Sequence, residues 1–241
     1  MDSVIVIGGT GETGRRVVGR LVREGRVVRV LTRDAQRARE VLGHDVQLVE
    51  GDVREPASIA GITHGMQGLI CAVGTRRHFS ANGTQQVEAG GVRHLMGELA
   101  KSVGHVVLLS GYGLDRNSLF LRGFSWVLNG YYEAKEAAEQ AVRSAGVPYT
   151  IVRPVTLSNR PATGHAVLNQ SGAVGMLSTM SRDVLADVLV RSLGDPSAFG
   201  KTFELTEGVA EPLGTQLRTM KQDGLRRMPS HTPMFGVQAR A

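Results

Sequence analysis

The chain has one cysteine, four lysines among its 28 basic residues, and only 5% aromatic side chains. A lone cysteine, Cys71, cannot close an internal disulfide, so it reads as an inert core thiol in a reducing compartment. No apolar run approaches the roughly 18 residues that a membrane span requires. The opening MDSVIVIGG has neither a basic leader nor a small-residue cleavage site. A cytoplasmic protein without a membrane span is the expectation. The seven histidines (44, 64, 78, 94, 105, 165, 231) show no His-x-x-x-His or cysteine spacing, so no metal site is expected. There is no Gly-x-Ser-x-Gly elbow, and no Gly-Lys-Ser/Thr closes a Walker loop.

What is present fits one large globular domain: 241 residues, 41% apolar and 21% charged, with no low-complexity block. The formal charge of +6 is carried mostly by 24 arginines. A basic surface can attract nucleic acid, an anionic membrane or a phosphorylated cofactor. These arginines stand at helical spacing (Arg15, Arg16, Arg20, Arg23; Arg37, Arg39) and are not interleaved with aromatics. They read as solvated helix faces, and no nucleic-acid partner is expected.

Val4 to Ile7 is a short apolar run ending in glycine, as a strand buried on both faces of a parallel sheet would be. Val17, Val18, Leu21 and Val22 then recur on one helical face, and Gly25 closes that helix. The alternation continues. Strands are expected at Val27 to Leu31, Val46 to Val49, Leu69 to Val73, His105 to Leu109, Tyr149 to Arg153 and Thr202 to Leu205. Helices are expected over Ala35 to Leu42, Gln85 to Ser102 (weakened by Gly90 and Gly91), Tyr131 to Ala145, and Arg182 to Leu193 capped by Ser181. Strands spaced by helices imply right-handed βαβ units and an α/β, doubly wound parallel sheet in a single Rossmann-type domain over residues 1–208. From Val209, with Pro212, Pro229, Pro233 and the Arg226–Arg227 pair, the pattern fades into a loosely held basic tail, 209–241. Leu119 to Leu128 concentrates three of the eleven aromatics, to cover a substrate, meet a partner or pack on the sheet.

Between the first strand and first helix lies Gly8-Gly9-Thr10-Gly11-Glu12-Thr13-Gly14. Gly8 suits a tight turn off the strand, Gly11 lets a pyrophosphate approach the backbone, and Gly14 lets the helix lie close to the sheet. The helix amides and dipole then face the anion. Glu12 must point away from it. Arg33, ending the second strand, replaces the carboxylate that would bind the ribose 2′-hydroxyl of NAD and suits the 2′-phosphate of NADP. Alternatively, Arg33 is a solvated strand end and Asp34 caps the next helix. Asp52 with the Val53 amide is placed to meet adenine, or Asp52 to cap Arg54 onward. Ala72, Val73 and Gly74 close the fourth strand beside the same edge.

The glycine loop, Thr32-Arg33-Asp34, Gly51-Asp52-Val53, Tyr131-Tyr132-Glu133-Ala134-Lys135, Tyr149-Thr150-Ile151-Val152-Arg153-Pro154 and Met180-Ser181-Arg182-Asp183-Val184-Leu185-Ala186 together resemble the atypical short-chain dehydrogenase/reductase group, the NAD(P)-binding NmrA-like proteins. The resemblance spans residues 1 to about 208. It implies a Tyr-x-x-x-Lys helix in which Tyr131 exchanges a proton. Lys135, one turn on, would favour the phenolate and hold the nicotinamide ribose. It places the carbonyl-orienting hydroxyl at Ser110, although Gly111 stands where a second serine is usual. Pro154, Val155 and Leu157 would border the nicotinamide, with substrate contacts from 114–130 and 158–180. The function expected is an NADP-dependent oxidoreductase acting on a small carbonyl, alcohol or alkene, as a monomer or homodimer. A non-catalytic NADP-binding regulator or assembly factor, and an isomerase or epimerase using bound cofactor, are the rival readings. Tyr131 as packing and Lys135 as a surface residue is the bland one.

Overall fold

The computed structural model describes residues 1–74, 85–114, 130–170 and 178–224. The expected basic cluster at Arg226–Arg227, the aromatic stretch 119–128 and most of the 114–130 segment lie outside them. Six parallel strands carry the architecture: β1 (Ser3–Ile7), β2 (Val27–Thr32), β3 (Gln47–Glu50), β4 (Gly68–Cys71), β5 (His105–Leu109) and β6 (Tyr149–Pro154). They pair in the order β3-β2-β1-β4-β5-β6, so the chain reverses its direction of travel across the sheet between β1 and β4. Beyond β6 the sheet continues with β10 (Lys201–Gly208), parallel to β6, and β8 (His165–Asn169), antiparallel to β10. A separate two-stranded sheet joins β7 (Thr156–Ser158) to β9 (Thr179–Ser181).

The unbroken apolar run of β1 feeds two cores. Val4 and Val6 pack on the face covered by α1 (Gly14–Arg23) and α5 (Arg182–Ser192). Ile5 and Ile7 pack on the opposite face, under α3 (Gly91–Gly97) and α4 (Tyr131–Arg143). Side chains alternate across a strand, so a strand between two helical layers must be apolar at every position. The α2 helix (Ala35–Leu42) is capped by Asp34, whose carboxylate accepts from the Arg37 amide at 2.9 Å. Ser181 caps α5 by accepting from the Asp183 amide at 3.2 Å. No helix among the described residues is long and apolar enough to cross a membrane.

Several expectations are corrected. The helix starting at Gln85 is a π-helical segment over Gln85–Gly90 that passes into α3 and stops at Gly97, short of Ser102. Thr63 takes over there, donating to the Glu98 carbonyl at 2.6 Å and accepting from the Ala100 amide at 2.8 Å. The tail does not begin at Val209: α6 (Leu213–Thr219) buries Leu213 and Leu217 in the α1/α5 core, and Lys201 Nζ donates to the Leu217 carbonyl at 2.5 Å. Nor are the α1 arginines a solvated face throughout. Arg16 meets Asp183 at 3.2 Å, and Arg20 reaches the Asp183 carbonyl at 3.0 Å and Asp187 at 3.5 Å.

Candidate active site

The strand order lines up the carboxyl ends of β2, β1, β4, β5 and β6 along one edge. On this edge stand Arg33, the glycine loop, Ala72–Val73–Gly74, Ser110 and Pro154. Ligands of open parallel sheets bind here, at the reversal of strand order. Gly8 has φ +80°, and a Cβ there would sit 2.7 Å from the Ala72 carbonyl oxygen. A Cβ on Gly14 would run into the Gly8 carbonyl oxygen, so only glycine lets α1 start against the turn. The Gly11 amide closes the turn onto the Gly8 carbonyl at 3.0 Å. Among the described residues no side chain caps α1 at Thr13, which leaves its N-terminal amides to a ligand. Thr10 is half-buried within this loop. Glu12 folds back onto Arg15 at 2.7 Å and Arg16 at 3.5 Å, so its charge is matched within the first turn.

Arg33 is exposed and holds no hydrogen bond or ion pair among the described residues. Asp52 is committed to Arg54, at 2.6 Å from its guanidinium, and also accepts from the Arg54 amide at 2.9 Å. That hydrogen-bonded pair outweighs burial and lowers its pKa. It matches the capping alternative. Val53 is buried and its carbonyl accepts from His94 Nδ1 at 3.1 Å. Of the segment after β6, Pro154 and Val155 are buried, and the Val155 amide donates to the Leu205 carbonyl at 3.0 Å. Val155 therefore joins the core and ties the chain to β10. Leu157, in β7, is half-buried against the same core.

Tyr131 opens α4 after Gly130, whose φ of +78° turns the chain into the helix. Lys135 lies one turn on, its Nζ 5.8 Å from the Tyr131 ring centroid. The absent second serine now has a steric reason: a Cβ at Gly111 would sit 2.7 Å from Tyr131 Oη. The π-helical segment adds a residue that the 3.6-residue period hides. Glu88 is 1% exposed and its carboxylate stands 2.8 Å from Lys135 Nζ, itself buried. Burial works against the Lys135 cation, but Glu88, followed by Tyr131, raises its pKa overall. Burial also dominates at Tyr131 and raises the phenol's pKa; Lys135 pulls it down and Glu88 pushes it up. Burial thus works against the expected phenolate.

Ser110 is corrected more sharply. Its hydroxyl donates to Glu139 Oε1 at 2.6 Å, and a hydroxyl has one proton to give. Glu139 also takes both prongs of Arg153, at 2.8 and 2.7 Å, and Arg143 at 3.0 Å. Ser110 thus holds the floor of the site and is not a donor to a carbonyl. Sequence spacing contained a signal for this: Tyr131, Lys135 and Glu139 fall on one stripe of α4, where a second charge on a buried face asks for a partner.

The fold and this edge define a dinucleotide-binding α/β protein with a tyrosine–lysine centre. The chain belongs to the NAD(P)H-binding family, whose model matches residues 8–196. A chloroplast protein of Arabidopsis thaliana is 32% identical over 87% of this chain and 78% of its own length. An NAD(P)H azoreductase of Xenophilus azovorans is 26% identical over 84% and 67%, and a photosystem II assembly factor of Trieres chinensis 27% over 84% and 63%. An oxidoreductase of Lactococcus lactis has the same fold, with a TM-score of 0.72 at 22% identity over 90% of this chain and 95% of its own.

Proposed function

We propose that the chain is an NADP-dependent reductase in which Tyr131 delivers the proton to the oxygen or carbon of a small carbonyl or alkene substrate. The observation that carries this reading is the half-buried Tyr131 beside the buried Lys135–Glu88 pair. A phenol kept protonated by burial beside a neutralised ammonium suits proton donation better than proton abstraction. When bound, the nicotinamide supplies hydride. The loop Gly8–Gly14 cradles the diphosphate, and Arg33, the cation ending β2, takes the 2′-phosphate and selects NADP over NAD. Lys135, paired with Glu88, lies beside the Tyr131 ring. Gly111 leaves the hydroxyl room.

The test is NADPH consumption against a panel of aldehydes, quinones, azo dyes and enones. Tyr131→Phe is expected to cut turnover at least about a hundredfold, the usual weight of a positioned acid, with NADPH affinity unchanged. Turnover equal to wild type would defeat the reading. A second reading, a non-catalytic NADP-binding assembly factor, draws on Ser110 and Lys135, whose polar groups are already satisfied by Glu139 and Glu88. It predicts nucleotide binding with no turnover across the panel. An epimerase would turn substrate over without net NADPH loss. We infer a cytoplasmic monomer or homodimer that binds no nucleic acid, since arginines on α1 are paired with Glu12, Asp183 and Asp187. Sedimentation of the pure chain measures the assembly state.

A further inference from the structure

The arginine that begins α5 stands where a second phosphate-binding group would be useful. The α1 and α5 helices lie side by side: Arg16 meets Asp183, and Arg20, four residues on, meets Asp187, four residues on. Pairs that advance together mean that the two helices run in the same direction, with their N-termini at the same end. Arg182, the first residue of α5, is accordingly within electrostatic reach of Glu12, Arg15 and Arg16 at the start of α1. On its other side are β7 and the turn that follows it. Ser158 pairs with Ser181 across the small sheet, and Arg182 donates to Asn159 Oδ1 at 3.1 Å. It therefore bridges the glycine loop and the segment that leaves β6.

The local charges do not cancel at Arg182. Glu12 is taken by Arg15 and Arg16, and Asp183 by Arg16, while Arg182 is half-buried with the neutral Asn159 as its hydrogen-bond partner among the described residues. A guanidinium has five N–H donors and, among the described residues, this one commits a single group. A partly desolvated cation with no carboxylate in hydrogen-bond contact among the described residues, beside the N-terminus of α1, is arranged to complete its pairing on ligand binding. We infer that Arg182 is a binding residue for the dinucleotide's diphosphate bridge, contributed from outside the glycine loop; this rests on the nucleotide-binding reading above. Arg33 would read the 2′-phosphate and Arg182 the part common to both cofactors.

Calorimetry of the full chain with NADPH, NADH and ADP-ribose separates these roles. Arg182→Gln is expected to weaken all three by a similar factor, roughly tenfold or more for a lost charge-assisted contact. Arg33→Ala should weaken NADPH alone. Wild-type affinity of R182Q for all three overturns the inference, as does a loss confined to NADPH, which would move Arg182 to the 2′-phosphate. If R182Q unfolds at a lower temperature than wild type, Arg182→Met, which keeps the apolar stem, is measured in its place against the same two outcomes. Failure of the wild-type chain to bind any of the three nucleotides would instead remove the underlying reading, before any variant is made.

Discussion

Acid should destabilise the chain through His105, and by an amount that the structure lets us work out. His105 begins β5, is 0% exposed, and packs on Phe199 with ring centroids 4.5 Å apart. The Gly194 amide donates to Nδ1 at 3.0 Å, so the neutral ring carries its hydrogen on Nε2. Nε2 donates to Thr150 Oγ1 at 3.0 Å, and that hydroxyl passes on to the Ala198 carbonyl at 2.7 Å. A second proton would have to enter on Nδ1, facing an amide donor. Burial lowers the pKa from 6.5 to about 4, and the Tyr149 backbone and the Asp195 charge offset only part of this. Above pH 6.5 the ring is neutral in both folded and unfolded chains. Below it the unfolded chain binds a proton that the folded chain refuses until about pH 4, so stability falls across that window as the pH drops. At 1.36 kcal/mol per pH unit the loss reaches about 3 kcal/mol. Urea unfolding at several pH values, on wild type and His105→Gln, measures it. The variant should be less stable at pH 7 through lost packing, and the gap should narrow by about 3 kcal/mol toward pH 4. Parallel losses in the two proteins would refute the argument.

Other consequences follow from single contacts. Arg33→Ala should lower NADPH affinity roughly tenfold and leave NADH affinity unchanged, as the guanidinium makes no hydrogen bond or ion pair among the described residues; equal losses for both nucleotides would remove the basis for NADP preference. Gly14→Ala forces a Cβ into the Gly8 carbonyl, so both nucleotide affinity and the unfolding midpoint should fall, the latter by an overpacking cost of about 1–3 kcal/mol. A variant that binds NADPH as wild type would show that the turn can move aside. Leu217→Ala should cost about 2–5 kcal/mol in urea unfolding, as for any large core side chain, whereas a loose tail would give almost nothing.

Much of the sheet was legible because its strands are buried on both faces and must be apolar throughout. His105–Leu109 and Ala35–Leu42 appear at their expected limits. The short strands β7, β8 and β9 were not legible. They are three to five residues long and only partly buried, so they carry no continuous apolar run. Glu88 escaped because a π-helical turn shifts the face on which it falls, and residue spacing alone assumes an α-helix. Ser110 was placed correctly at the end of β5, but its hydroxyl's recipient is 29 residues away in sequence.

The order of residues by itself determined the alternation of strands and helices, the glycine turn and the tyrosine–lysine stripe, since each depends on neighbours within about one helical turn. Only the tertiary structure decided which charges meet. The partners of Lys135 and Ser110, and the aspartates that Arg16 and Arg20 meet, come from distant segments, and a buried charge takes its protonation and its availability from such partners.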